Sequence, residues 1–276
     1  MANRQLKASC GPTNYQKKAR YKVLPAPPRR YPWIMKIRYE DNDGKILECS
    51  GALISSHHLL TTTNCVSRCN GVTPLRVPFD RRRLSIYAGD NCERPGLCLR
   101  DYRVSRIFLH PLANHCQSDG IAILVLGNNA KGLEAWPVCM PTRHLKITKH
   151  LLTAGIGSVP ESRTALPSRG LRVMVLRFLK DDRRTGLIKT RGRLGSSFCI
   201  RDNGGPLFQF EDDRHALIGA FIGKDPFCDN GDINNELTFV DIRSQLDWIC
   251  SVTGICPLPT GNQPKARRRL FVPALS

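Results

Sequence analysis

The sequence predicts an all-β protein made of two β domains, and three observations carry that prediction. Short runs rich in Val, Ile, Leu and Thr recur between turn residues, in two series on either side of a linking stretch at residues 128–141. No internal repeat of the kind that marks a solenoid or a propeller is present. The chain also has twelve cysteines, with no repeated Cys-x-x-Cys pairs, which describes a disulfide framework and an oxidising compartment.

The elements follow in order. Residues 1–31 form a leading segment. Its end, KVLPAPPRRYPW at residues 22–33, is proline-rich and basic and reads as irregular. Strands are expected at 33–39, 51–54, 59–62, 84–88, 104–109 and 121–126, then at 151–155, 171–176, 206–209, 216–222 and 237–240. Residues 242–250, IRSQLDWIC, place Ile242, Leu246 and Ile249 at helical spacing. Residues 251–276 return to proline, glycine and a basic run, and read as a mobile tail. The longest apolar run, Ile121–Leu126, is far too short to cross a bilayer as a helix.

A net charge of +19 favours anionic partners. Basic clusters stand at residues 17–20, 29–30, 81–83, 183–184, 189–193 and 265–269. Arg81, Arg82 and Arg83 on the body and Arg267, Arg268 and Arg269 in the tail are the candidates to bind a polyanion, with an acidic polysaccharide favoured over nucleic acid for a disulfide-bonded protein. There is no N-x-Ser/Thr sequon. The close cysteine pairs Cys65/Cys69, Cys92/Cys98 and Cys250/Cys256 have no paired histidines beside them, so no metal and no cofactor is expected. His110, His115, His144, His150 and His215 read as surface residues. Residues 1–20 contain no apolar signal-peptide core, so the expectation of secretion rests on the cysteines.

Several segments carry a resemblance. CSGALISSHHLLTTTNC at residues 49–65, SDGIAILVL at 118–126 and CIRDNGGP at 199–206 resemble, in order and spacing, the marker segments of the trypsin-like serine proteases. Pro32-Trp33, His110-Pro111, PVCMP at 137–141 and Asp247-Trp248-Ile249 are lesser echoes. The resemblance covers residues 32–250 and implies two six-stranded antiparallel β-barrels with a cleft between them and a short C-terminal helix. The tethered start Ser9-Cys10-Gly11, the block ISSHHLLTTTNC and the ending WICSVTG look most like the divergent trypsin-like proteins of nematodes. The resemblance further implies bridges Cys49–Cys65, Cys199–Cys228 and Cys10–Cys139. Cys69, Cys92, Cys98, Cys116, Cys250 and Cys256 are left open, with Cys69–Cys116 attractive because those loops border one cleft in the family.

The chemistry implied by the family needs a base, an orienting carboxylate, a nucleophile and an oxyanion hole. Asn64 occupies the base position, and an amide has no proton that titrates near neutral pH. Asn203 occupies the nucleophile position, where no hydroxyl remains to be activated. The carboxylate position falls on Gly120, with Asp119 one residue early; a bulge at Gly120 would re-aim Asp119. Arg201 stands where the oxyanion hole has glycine. Asp202 has kept its place, but the segment YKVLP at residues 21–25 has no Gly-Gly to let a freed amino terminus insert beside it. Alternatives at His57, His58, Ser196 and Ser197 read as ordinary strand and loop residues. The expected function is therefore a catalytically inactive serine protease homologue that binds an extracellular protein partner or an acidic polysaccharide. An active endopeptidase with a non-standard site and a basic host-defence protein acting on anionic surfaces stand as alternatives.

Overall fold

A computed structural model describes residues 6, 8–11, 24–25, 30–88, 100–116, 118–130, 135–155, 171–192, 203–223 and 236–257. The first barrel is closed by six antiparallel strands. These are β2 (Ile34–Glu40), β3 (Ile46–Leu53), β4 (His58–Thr62), β9 (Ile121–Leu126), β8 (Arg100–Leu109) and β7 (Leu84–Ala88), paired in that order and back to β2. Two short strands, β5 (Ser67–Arg68) and β6 (Val77–Pro78), make a separate hairpin on the way.

The second barrel runs β11 (Arg172–Asp182), β10 (His150–Gly155), β13 (Pro206–Glu211), β14 (Arg214–Phe221), β15 (Glu236–Asp241) and β12 (Leu187–Arg191), and closes through β12 on β11. The family's two six-stranded barrels are therefore what the chain forms. A 3₁₀ turn at Ile242–Ser244 leads into the C-terminal helix Leu246–Thr253, ended by Gly254 at φ +71°. That left-handed conformation is the usual glycine C-cap, since a Cβ would be strained there.

Period-two alternation builds the barrels. In β7, Leu84, Ile86 and Ala88 are buried while Ser85 and Tyr87 face outward. In β2, Ile37 and Tyr39 point inward, while Lys36 and Arg38 point outward. β14 differs, with His215 to Phe221 all buried. Ala216 and Ile218 fill the second barrel, whereas Leu217 and Ala220 join the large core of the first. A strand covered on both faces is continuously apolar, and β14 is covered by both core clusters.

The structure adjusts several sequence expectations. Leu24–Pro25, read as irregular, form strand β1 on Arg172 and Val173 of β11. β3 starts five residues earlier than expected, because Ile46–Ser50 pair with Lys36–Glu40. β12 was not expected at all: it alternates Ile188 and Thr190 inward with Lys189 and Arg191, and basic residues mask that pattern. The segment at 242–250 opens as a 3₁₀ turn, and its α-helix runs on to Thr253. The folded body thus continues past residue 250: Ile255 is buried and Cys256 is bridged to Cys250.

Bridges also join Cys10 to Cys139, Cys49 to Cys65 and Cys69 to Cys116. The first closes a sequence separation of 129 residues. It holds the leading segment where the Gly11 N–H donates to the Pro137 carbonyl and the His215 N–H donates to Gly11. Cys92, Cys98, Cys199, Cys228, Arg267, Arg268 and Arg269 lie outside the described residues.

Candidate functional site

Strand β4 ends in the 3₁₀ turn Thr63–Cys65. Asn64 is the middle residue of that turn. Its Nδ2 donates to Asp119 Oδ1 at 2.9 Å. Asp119, not Gly120, therefore supplies the carboxylate beside position 64. Gly120 is buried, its carbonyl accepts from the Thr63 N–H at 2.9 Å, and a Cβ there would collide with the Cβ of Ala113. A larger residue at 120 would have to displace Ala113.

A second group, missed by sequence reasoning, completes this corner. Arg76 is buried, and its guanidinium donates to Asp119 Oδ1 at 3.0 Å and to the Ser118 carbonyl at 3.1 Å. One carboxylate oxygen thus accepts from both Asn64 and Arg76. The loop carrying Arg76 is clamped to the loop carrying Asp119. Cys69 is bridged to Cys116, Leu75 pairs with His115, and the Arg76 N–H donates to the Asn114 carbonyl at 2.7 Å. No sequence signal marks a single arginine 43 residues from its partner.

Asn203 sits on the other side of the interface between the barrels, 7% exposed. Its carbonyl accepts from the Ser50 N–H of β3 at 2.8 Å and lies 3.4 Å from Cys65 Sγ. Its side-chain Oδ1 accepts from the Gly223 N–H at 2.6 Å. Gly204 follows at φ +76°, where a Cβ would collide with Thr61 Oγ1 and the Ser50 carbonyl, so only glycine fits. The structure therefore brings the stretches of Asn64, Asp119 and Asn203 together across the barrel interface. Arg201, Asp202, Ser196 and Ser197 lie outside the described residues.

The nearby histidines do not join this group. His58 begins β4, four residues before Thr62, which strand geometry puts about 13 Å away along the chain. Its Nδ1 is 2.7 Å from Ser55 Oγ, and burial followed by the His57 charge lowers its pKa. His57 is exposed. His110 caps the turn Pro111–Ala113, accepting from the Leu112 N–H, and packs edge-on against Trp248. His115, His144 and His150 are exposed, as expected. His215 is not a surface residue: it is 2% exposed, among Tyr31, Trp33, Phe208 and Phe210. Burial, and then the charge of Arg30, push its pKa down to about 4. No cluster of three metal-ligating side chains exists among the described residues.

A family model described as Trypsin matches residues 22–249. The chain belongs to the trypsin family. Among curated proteins, this trypsin-family chain is 26% identical over 247 residues to CLIP domain-containing serine protease B15 of Anopheles gambiae, covering 80% of this chain and 66% of that one. It is 26% identical over 253 residues to phenoloxidase-activating factor 3 of Holotrichia diomphalia, covering 79% and 68%. The proclotting enzyme of Tachypleus tridentatus is 26% identical over 128 residues, covering 44% and 32%. The chain thus spans about two thirds of the length of the first two relatives.

Proposed function

We propose that this trypsin-family chain is a catalytically inactive protease homologue that works by binding, outside the cell. The supporting observation is how the two asparagines are used. Asn64 stands at the base position and gives its amide to Asp119; Asn203 stands at the nucleophile position and turns its amide oxygen to the Gly223 N–H. Neither group can take a proton from a nucleophile or act as one. The partner is an extracellular protein of a protease system, such as a protease, its substrate or its inhibitor, or else an acidic polysaccharide. Relatives whose names refer to activating phenoloxidase and to clotting support the first. Disulfides support secretion. The WICSVTG ending and the Cys10 tether support an affinity with nematode members of the family.

The direct test is a fluorophosphonate probe, which labels activated hydroxyl nucleophiles. No adduct is expected at residue 203 or elsewhere on the intact protein by mass spectrometry. A stoichiometric adduct on any cleft residue would overturn the proposal.

Restoring the two side chains should not restore the enzyme. An imidazole introduced by Asn64→His would meet a carboxylate oxygen already held by Arg76, which competes for the bond that orients a catalytic histidine. Asn203→Ser would act beside Arg201 at the oxyanion-hole position. An oxyanion donor held out of place can cost as much as a missing one, up to about 10²–10³-fold. The double variant is therefore expected to stay at least ~100-fold below an intact family member in kcat/KM on an amide substrate, with Arg201→Gly recovering part of the deficit. Full turnover from the double variant would refute this account of the hole and of Arg76.

A further inference from the structure

We infer that the outer face of the first barrel carries a binding site for a sulfated polysaccharide segment, built from Arg38, Arg83 and Arg103 around Ser85. This rests on the extracellular-binding reading above and specifies one of its partners. In register, Ser85 of β7 faces Arg38 of β2 on one side and Arg103 of β8 on the other. Directly opposed residues on paired strands share a face, so both arginines flank the hydroxyl on the outward side, away from buried Leu84 and Ile86. Arg83 reaches the same place from the 3₁₀ turn Arg81–Arg83, donating to the Glu40 carbonyl at 3.4 Å. Beside Ser85, on the side of Arg38 and Arg83, lies a surface cavity of about 280 Å³ lined by Arg38, Glu40, Arg83 and Ser85, with Arg103 across the strand from it. Its size is below that of drug-sized pockets, about 300–1,000 Å³, and suits one charged unit of a longer chain.

The basic triplet at 81–83 is not uniform. Arg82 is held by Asp80 at 2.9 Å, which keeps the Asp80 carboxyl down at about 2, and Arg81 is turned to the Ser105 carbonyl. On the same face Glu48 is taken by Lys36 at 2.6 Å and Glu40 by Arg38 at 3.0 Å. Among the described residues no carboxylate is paired with Arg83 or Arg103. Those two guanidiniums, with the Ser85 hydroxyl between the strands, are the uncompensated donors, and planar guanidinium forks match tetrahedral oxyanions. A disulfide-bonded protein in an oxidising compartment meets sulfated polysaccharide rather than nucleic acid.

The test is salt elution from a heparin column and the log–log salt dependence of heparin binding. Each cation that neutralises a polymer charge contributes close to one to that slope. The Arg83→Ala/Arg103→Ala protein is expected to lose about two from the slope. The Arg183→Ala/Arg184→Ala protein removes equal charge from an exposed turn of the second barrel and should lose less than one. Glu40→Gln, which frees Arg38, should elute later than the parent. Equal losses from the two double variants would overturn the site in favour of diffuse charge. Parent elution below about 0.2 M salt, where weak surface contacts are already screened, would overturn it too. So would single-stranded DNA that displaces heparin at equal charge concentration, which would point to a generic phosphate site. None of these outcomes bears on the fluorophosphonate result, so the inference and the inactive-homologue reading fail separately.

Discussion

Amide and ester substrates are expected to turn over about 10⁶-fold more slowly on this chain than on a trypsin-family enzyme with base and nucleophile intact. In serine proteases these groups act as one unit, so losing either costs about as much as losing both, near 10⁶ in rate or ~8 kcal/mol of barrier. A residual 10³–10⁴-fold over water survives such losses when the oxyanion hole and substrate binding are kept. On the reading proposed above, Arg201 stands at the hole position in place of glycine. The residual should therefore be small as well. Initial rates on an activated ester and a peptide amide, with and without a general serine protease inhibitor, measure this. An inhibitor-sensitive rate within 10³-fold of an intact enzyme would refute the inactive reading.

The double-barrel fold was legible because most strands obey simple alternation between turn residues, and because the marker segments occur in order. What escaped has physical reasons. β12 buries only Ile188 and Thr190 and presents Lys189 and Arg191, so its charge hides its period. The carboxylate at the site was ambiguous by one residue, since a strand reading turns adjacent side chains to opposite faces. Asp119 is the carboxylate that meets Asn64 and Arg76, through side-chain contacts that no local pattern encodes. Arg76 was invisible because its burial is tertiary: Cys69–Cys116 and the Leu75–His115 pairing fold two loops together. His215 was misread as exposed, although the apolar run that follows it implies a strand with both faces covered. A residue continuing such a strand belongs in the interior.

That burial makes His215 a measurable source of acid sensitivity. Its ring lies 5.0 Å from Trp33 and 5.3 Å from Phe208, centroid to centroid, in an apolar setting that disfavours the imidazolium. The ordinary histidine pKa of 6.5 falls to about 4 in the fold. Above pH 6.5 the ring is neutral whether the chain is folded or not, and the contribution to stability is complete. Between 6.5 and about 4 the unfolded chain takes up a proton that the folded chain refuses, so stability falls as pH falls. At about 1.4 kcal/mol per pH unit of difference, the whole window is worth about 3 kcal/mol. His58 and His110, also lowered by burial but only partly buried, add smaller losses in the same direction. Urea unfolding of the oxidised protein at pH 7 and pH 4.5 should show the midpoint dropping with the slope unchanged. His215→Phe keeps an aromatic ring in the box and removes the titration. Its midpoint should fall less between the two pH values, by most of that ~3 kcal/mol. An equal drop in the variant would show that the acid sensitivity arises elsewhere and that the buried imidazole is already protonated or solvated at pH 4.5.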